Sequence, residues 1–402
     1  MDVSVAHFDL AQIGPEFIAD PYPTLAALRR DSPIHRMADG SVLLTRYEDV
    51  QKVYQSREML SDKTQEFGAK FGKCPLADHH TTSLVFNDPP YHTVVRKLLA
   101  GAFTPRKLAE FDPLIEGIVE RLLDRVEDMG RFDMVEDFAK VLPTEIISVM
   151  LGVPEAERGK LRDYSLAILG ALDPVVPAER LARGNAAVTE FSAILSDLID
   201  HRRAHPDAGG QGEVLEALIF GEHDGRRLTQ EELIQNCIFL LNAGHETTTS
   251  FVANAVGTLF DAPDEHRRLI RDPSLISSAV EEFLRMESPL QIGNRRAGEE
   301  IVLSDGTLPK GTYVHTSIAA ANRDPDQFVD PDRVDLGRRP NRHIAFITGI
   351  HVCLGATLAR IEGRIAIGGL VARFPRLAPD GPRVRLPLAR FRGYTSLPVR
   401  VR

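Results

Sequence analysis

Between residues 112 and 130 the apolar positions Leu114, Ile115, Ile118, Val119, Leu122, Leu123 and Val126 fall three and four apart, the period of one helix face. Asp112-Pro113 supplies an N-cap and a first-turn proline and Gly130 a stop, so a helix is predicted there. A second helical block is predicted over about residues 155–203, broken at Asp173-Pro-Val-Val-Pro177, a candidate mobile lid. His205-Pro-Asp-Ala-Gly-Gly-Gln-Gly212 reads as an exposed loop. Thr229-Gln-Glu-Glu232 has capping-box spacing and opens an apolar run to Phe260. At about 30 residues it is a helix of roughly 45 Å, enough to cross the molecule.

The pattern changes towards both ends. Ser41-Val-Leu-Leu-Thr45, Ile301-Val-Leu303 and Thr312-Tyr-Val-His-Thr316 are short and apolar or β-branched, with Gly306 and Pro309-Lys-Gly311 as turns. The expected fold class is mainly α with a smaller β-rich lobe. Length alone admits two or three domains, but no repeat or low-complexity break divides the chain. We therefore expect one domain over residues 1–402, β-rich over about 1–60 and 290–402 and helical over about 80–290.

A hydrophobic content of 43% with 26% charged residues supports a sizeable core and argues against disorder. The net charge of -9 excludes general nucleic-acid affinity as an expectation, because phosphate binding needs concentrated basic surface. The start, Met-Asp-Val-Ser-Val-Ala-His-Phe-Asp, has neither a signal-peptide pattern nor the run of about 20 apolar residues that a membrane anchor needs. A cytoplasmic protein without membrane association is expected. Cys74, Cys237 and Cys353 show no zinc or disulfide spacing, and Cys237 sits in an apolar helix as a core residue.

Cys353 differs in its setting. It lies in Phe346-Ile-Thr-Gly-Ile-His-Val-Cys-Leu-Gly355, just before an amphipathic helix in which Leu358, Ile361, Ile365 and Leu370 form an apolar stripe. Orphan N–H groups and the macrodipole at a helix start favour a thiolate, which is a metal ligand. Gly349 and Gly355 allow close approach of a flat group, and His351 is placed to bind an anion. A buried, inert thiol is the alternative for a cysteine taken alone.

The spacing Phe-x-x-Gly-x-His-x-Cys-x-Gly, followed by Leu358-Ala359-Arg360, resembles the heme-binding segment of the cytochrome P450 family. One departure is Ile347, where the family often has Gly. Three further motifs follow the family's order. Asn87-Asp-Pro-Pro-Tyr-His92-Thr-Val-Val-Arg96 puts His92 and Arg96 on one helix face, an arrangement that suits a carboxylate or phosphate. Ala243-Gly-His-Glu-Thr-Thr248 lies mid-helix, where Gly244 and back-bonding by Thr247 predict a kink or widening. Glu282-Phe-Leu-Arg285 places a carboxylate and a guanidinium three apart.

The resemblance implies the P450 fold and heme b (iron protoporphyrin IX) with Cys353 as the iron ligand. It places Ala243, Gly244, Phe346, Gly349 and Gly355 against the heme and assigns the propionates to His92, Arg96, Arg295 and His351. Glu246 and Thr247 become the acid-alcohol pair that delivers protons during oxygen activation. Glu282, Arg285 and Arg333 become a structural network bracing the cysteine loop, with Val334 in place of a frequent aromatic. The implied activity is monooxygenation of a medium-sized apolar substrate (terpenoid, steroid or aromatic) by O2, with electrons from a ferredoxin and its NAD(P)H-dependent reductase. Lys97, Arg106 and Arg364 are candidates for steering that acidic partner. The rival readings are a heme-thiolate protein for gas sensing or electron transfer, and a peroxide-driven peroxygenase. Neither has use for Glu246-Thr247.

For the substrate, helix geometry puts Phe239 and Ala243 on the side of Thr247, with Asn242 beside them. The resemblance adds Phe67, Phe71 and Leu76 in a variable loop, Leu169 and Leu172 near the lid, Gln291, Ile292 and Gly293 after the Glu282-Arg285 helix, and Phe391 near a C-terminal turn.

Overall fold

A computed structural model of the chain describes residues 5–172, 176–206 and 212–401. Backbone packing divides it into two units, one formed by residues 1–60, 119–139 and 247–402 and the other by residues 61–118 and 140–246.

The first unit holds all the described strands. Its five-stranded sheet runs in the order Ile34–Arg36, Val42–Leu44, Tyr313–Ser317, Ile292–Ala297, Met59–Leu60. Val42–Leu44 is parallel to Tyr313–Ser317, and the other neighbours are antiparallel. Val42 and Leu44 enter one apolar cluster, with Val50, Val53, Val314 and Ile344, while Leu43 enters another with Leu25, Leu28, Ile292 and Ala319. Both faces of this strand are covered, which is why its sequence is an unbroken apolar run instead of an alternation. A three-stranded sheet joins Arg131–Asp133, Pro398–Arg400 and Ala378–Pro379, so a strand also interrupts the region expected to be helical. A third cluster packs Phe251, Ala255 and Leu259 against Val280, Phe283, Ile367 and Val371, joining three helices.

The second unit is helical among its described residues. Helices Glu155–Gly170 and Ala178–Ala204 pack closely, with the Tyr164 and Phe191 rings stacked 5.7 Å apart. The candidate lid and the 205–212 loop fall in part on residues 173–175 and 207–211, outside the described residues.

Two helices carry residues of both units. Asp112–Met129 ends at Gly130, whose φ of +70° is a left-handed stop that glycine adopts without penalty. Gln230–Asp261 extends 32 residues and stays helical through Gly244. Its start is a reciprocal capping box: the Glu232 amide donates to Thr229 Oγ1 at 3.2 Å, and the Thr229 amide donates to Glu232 Oε2 at 2.9 Å. Among the described residues no helix is long and apolar enough to cross a membrane.

Candidate active site

The cysteine loop is built from Phe346 to Gly355 ahead of helix Ala356–Arg373. The Cys353 amide donates to the Phe346 carbonyl at 3.0 Å, closing the loop on itself. Gly349 has φ +75°, and a Cβ there would lie 2.1 Å from the Tyr54 carbonyl oxygen. The glycine is therefore required by the chain's own packing on Tyr54. Gly355 is different: among the described residues nothing lies within 4 Å of a Cβ built on it. Ile347 adopts φ +52°, the left-handed region in which glycine is at ease. The departure at this position thus keeps the glycine-like path at a cost of about 1–2 kcal/mol.

Cys353 is exposed, and so are its apolar neighbours Ile350 (41%) and Val352 (40%). A thiol set between exposed aliphatic side chains, two residues before a glycine that no described residue crowds, fits a flat apolar group bound through its metal. His351 and Phe346 are half-buried. Arg295 is buried on strand Ile292–Ala297 with its guanidinium 5.0 Å above the Tyr54 ring. Two residues earlier on that face, a Cβ on Gly293 would meet the Tyr54 hydroxyl at 2.0 Å, and that hydroxyl is hydrogen-bonded to Thr316 at 2.6 Å. Tyr54, which the sequence did not single out, thus supports both the cysteine loop and Arg295.

Bracing comes from adjacent carboxylates on helix Ile276–Met286. Glu282 and Arg285 form a fully buried bidentate pair, Nε to Oε2 at 2.8 Å and Nη2 to Oε1 at 2.9 Å. The second guanidinium on Glu282 is that of Arg338, whose Nε lies 3.2 Å from both carboxylate oxygens, and Asn341 and the Asp335 amide complete the set. This corrects the expectation for Arg333. Its side chain is exposed, and its carbonyl accepts from Arg285 and Arg338 at 3.2 and 3.1 Å. The Pro331–Arg333 turn points carbonyls inward, because Arg285 also takes the Pro331 carbonyl at 2.6 Å. The guanidinium that reaches Glu282 is that of Arg338, five residues later.

Glu281 makes the direct link to the cysteine helix. Arg360 donates to it at 2.7 and 2.8 Å, and His343 Nε2 lies 3.0 Å away. Burial alone would raise this carboxyl, but the hydrogen bonds and charges of Arg360 and His343 bring it down to about 2. Arg360 also stacks on Phe346, 4.5 Å from the ring centroid. On the other side of the cysteine helix, Glu362 is buried and accepts from Thr248 Oγ1 at 2.9 Å. Gly363 beside it gives way to Phe251, since a Cβ would fall 2.3 Å from Cε1. Desolvation pushes Glu362 up to about 8 against the opposing Thr248 hydrogen bond, so it is neutral at pH 7.

On helix Gln230–Asp261 most side chains are buried, yet Phe239 and Gly244 are half-buried, Ala243 is exposed and Thr247 is half-buried. Between residues 235 and 259 these positions make one open stripe on an otherwise buried stretch of the helix. Glu246 is buried beside His245, whose Nδ1 is 3.9 Å from Oε2. Burial, with the charges of Arg162 and Lys140, lowers His245 to about 3. Asn242 is buried next to the stripe, and its Oδ1 has no hydrogen-bond partner among the described residues.

Within the second unit, helix Tyr91–Ala102 carries a buried His92 and a half-buried Arg96 one turn apart. Phe67 and Phe71 stack 5.2 Å apart. Leu76 is fully buried against Gly184 and fills core, and Leu169 and Leu172 are half-buried near residue 173. In the first unit, Gln291, Ile292 and Phe391 line a cleft with Phe17, Leu25 and Arg392. Ile292 itself is packed in the cluster with Leu25 and Leu28, because strand alternation turns it away from Gly293 and Tyr54. Lys97 and Arg106 are exposed and Arg364 is half-buried.

Residues 34–388 match the cytochrome P450 family model. The chain is 39% identical to the vitamin D(3) 25-hydroxylase of Pseudonocardia autotrophica, covering 90% of this chain and 88% of that protein. It is also 39% identical to the cytochrome P450 monooxygenase PikC of Streptomyces venezuelae, over 98% and 94% of the two chains. Among solved structures, that of P450BioI in complex with an acyl carrier protein ligated to hexadec-9Z-enoic acid matches with a TM-score of 0.90 and 34% identity, over 96% of this chain and 99% of that one. The cysteine loop and the extent of these matches agree: the chain belongs to the cytochrome P450 family. Proteins of this family bind heme b and are monooxygenases.

Proposed function

We propose that the chain oxygenates a medium-sized apolar molecule, of the terpenoid, steroid or aromatic class, in the cytoplasm with electrons from a ferredoxin and its NAD(P)H-dependent reductase. The observation that carries this reading is the exposed Cys353 between Ile350 and Val352, on a loop tied down by Tyr54, Glu281 and the Glu282-Arg285-Arg338 network. Heme b, when bound, supplies activation of dioxygen and insertion of one oxygen atom, and the thiolate donates the electron density that favours this chemistry.

The chain's residues then have these roles. Cys353 binds the metal. Ala243, Gly244, Phe346, Gly349 and Gly355 allow close approach of the cofactor, and His92, Arg96, Arg295 and His351 hold its carboxylates. Thr247 offers a hydroxyl at the open stripe, and Glu246, buried on the same helix turn, passes protons to it. Phe239, Asn242, Phe67, Phe71, Leu169, Leu172, Gln291 and Phe391 supply the apolar surround of the substrate. Two relatives support a lipid-like substrate range: one is a vitamin D(3) 25-hydroxylase, and one structure holds a hexadecenoyl carrier protein.

The test is Thr247→Ala in the holoenzyme. It keeps heme and substrate binding and diverts NAD(P)H electrons into peroxide, with a fall in product formed per NAD(P)H consumed. Unchanged coupling rejects the proton-delivery role.

A further inference from the structure

His80 has a setting that the catalytic reading does not use. It lies on helix Pro75–Thr82, is 1% exposed, and neither ring nitrogen has a hydrogen-bond partner among the described residues. Its ring is boxed by Phe67 at 5.0 Å, Phe86 at 5.3 Å and Phe71 at 5.9 Å between centroids. Its neighbour His79 is satisfied, with Nδ1 3.0 Å from Gln235 Oε1. The Leu84 amide likewise donates to Asn236 Oδ1 at 3.0 Å. Helix Pro75–Thr82 and the turn after it are thereby pinned to the first turns of Gln230–Asp261, one turn before Phe239 opens the exposed stripe.

Among the described residues several other buried polar atoms of this unit lack hydrogen-bond partners, and two of them follow His80 or Gln235 closely in sequence. Ser83 Oγ sits three residues after His80, and Asn242 Oδ1 lies seven residues after Gln235, on its face of the helix and about 10 Å along. A neutral imidazole carries one N–H and one lone pair. Leaving such groups unmatched is costly, and buried polar groups in native proteins are ordinarily paired. An apolar substrate with a single oxygen would satisfy the box. Its skeleton would pack on the phenylalanines, and its hydroxyl or carbonyl would pair with the ring.

We propose that His80 is a specificity-determining residue that recognises a neutral hydroxyl or carbonyl oxygen on an otherwise apolar substrate, within the aromatic box of Phe67, Phe71 and Phe86. An anionic head group is not the ligand read here. The nearby ammonium of Lys70 is directed to the Ala171 carbonyl at 3.5 Å and over the Phe71 ring. Burial and the neighbouring His79 and Lys70 keep the His80 imidazole uncharged. The proposal deepens the substrate reading above and rests on Phe67 and Phe71 belonging to the substrate surround.

The experiment measures dissociation constants by equilibrium dialysis on the holoenzyme. The probes are matched pairs that differ by one oxygen: testosterone with its 17-deoxy analogue, progesterone with its 20-deoxo analogue, and 1-tetradecanol with tetradecane. The wild type should hold the oxygenated member of at least one pair tenfold or more tightly, about 1.4 kcal/mol. His80→Phe should abolish that preference without weakening the deoxygenated member, and His80→Gln, which keeps a donor and an acceptor, should restore part of it. No preference in any pair, or a preference that survives in His80→Phe, overturns the proposal. The reduced carbonyl spectrum, recorded on the same samples, separates this failure from failure of the heme-thiolate reading, because His80→Phe leaves that spectrum unchanged.

Discussion

Replacing Glu362 by Gln should stabilise the protein at neutral pH and do nothing at acid pH. The carboxyl is buried between helices Gln230–Asp261 and Ala356–Arg373, receives one hydrogen bond from Thr248, and titrates near 8 against an ordinary 4.5. A group whose folded value is raised contributes no penalty while both states are protonated, below about pH 4.5. The penalty grows as the unfolded chain ionises and the folded one does not, and it levels off above about pH 8. Each pH unit in that window is worth about 1.36 kcal/mol, so holding the proton at pH 7 costs roughly 3 kcal/mol. Glutamine keeps the volume and an acceptor for Thr248 but has no proton to hold. We expect Glu362→Gln to gain about 2–3 kcal/mol over wild type at pH 7 and nothing at pH 4.5. Guanidinium unfolding midpoints, followed by far-UV circular dichroism at pH 4.5, 6, 7 and 8, give the comparison. A difference between the two proteins that is the same at every pH, or a variant weaker than wild type at pH 7, refutes the reasoning.

Other substitutions separate side chains that look alike in the sequence. Arg338→Ala should cost about 3–5 kcal/mol because it strips a partner from a fully buried carboxylate, whereas Arg333→Ala should stay within about 0.5 kcal/mol, since only its carbonyl takes part; denaturation midpoints of the pair decide it. Gly349→Ala should lower stability by more than about 2 kcal/mol, read from the unfolding midpoint, through left-handed strain together with contact on the Tyr54 carbonyl. Arg360→Ala should lose about 1 kcal/mol of stability at pH 7, the value being discounted for the partial exposure of its pair with Glu281. Glu281's carboxyl is depressed to about 2, so this contribution is present above about pH 4.5 and disappears as pH falls towards 2; the wild-type and variant midpoints should converge in acid.

Local signals were readable. The capping box at Thr229 and Glu232 and the stop at Gly130 act over a few residues, and the structure places each where spacing put it. The long helix followed from those signals and an apolar run. Partners distant in sequence were not legible. Arg338 reaches Glu282 across 56 positions and Arg360 reaches Glu281 across 79, and no neighbouring residue signals that either guanidinium is drawn into an ion pair. The error at Arg333 has the same origin: a motif position says that a residue takes part, but not whether its side chain or its carbonyl does so. Tyr54 was hidden because its work is done by a backbone oxygen, a ring face and a hydroxyl, each toward a different neighbour. Gly349 shows how a local motif can carry a distant constraint, since its small size makes room for the Tyr54 carbonyl.

The most direct test of Cys353 as the metal ligand is the absorption spectrum of the dithionite-reduced carbonyl complex, recorded for wild type and Cys353→His. Thiolate ligation predicts a strongly red-shifted Soret band in the wild type and its loss in the variant. A wild-type protein that takes up no heme, or a Cys353→His variant that keeps the red-shifted band, would contradict the assignment.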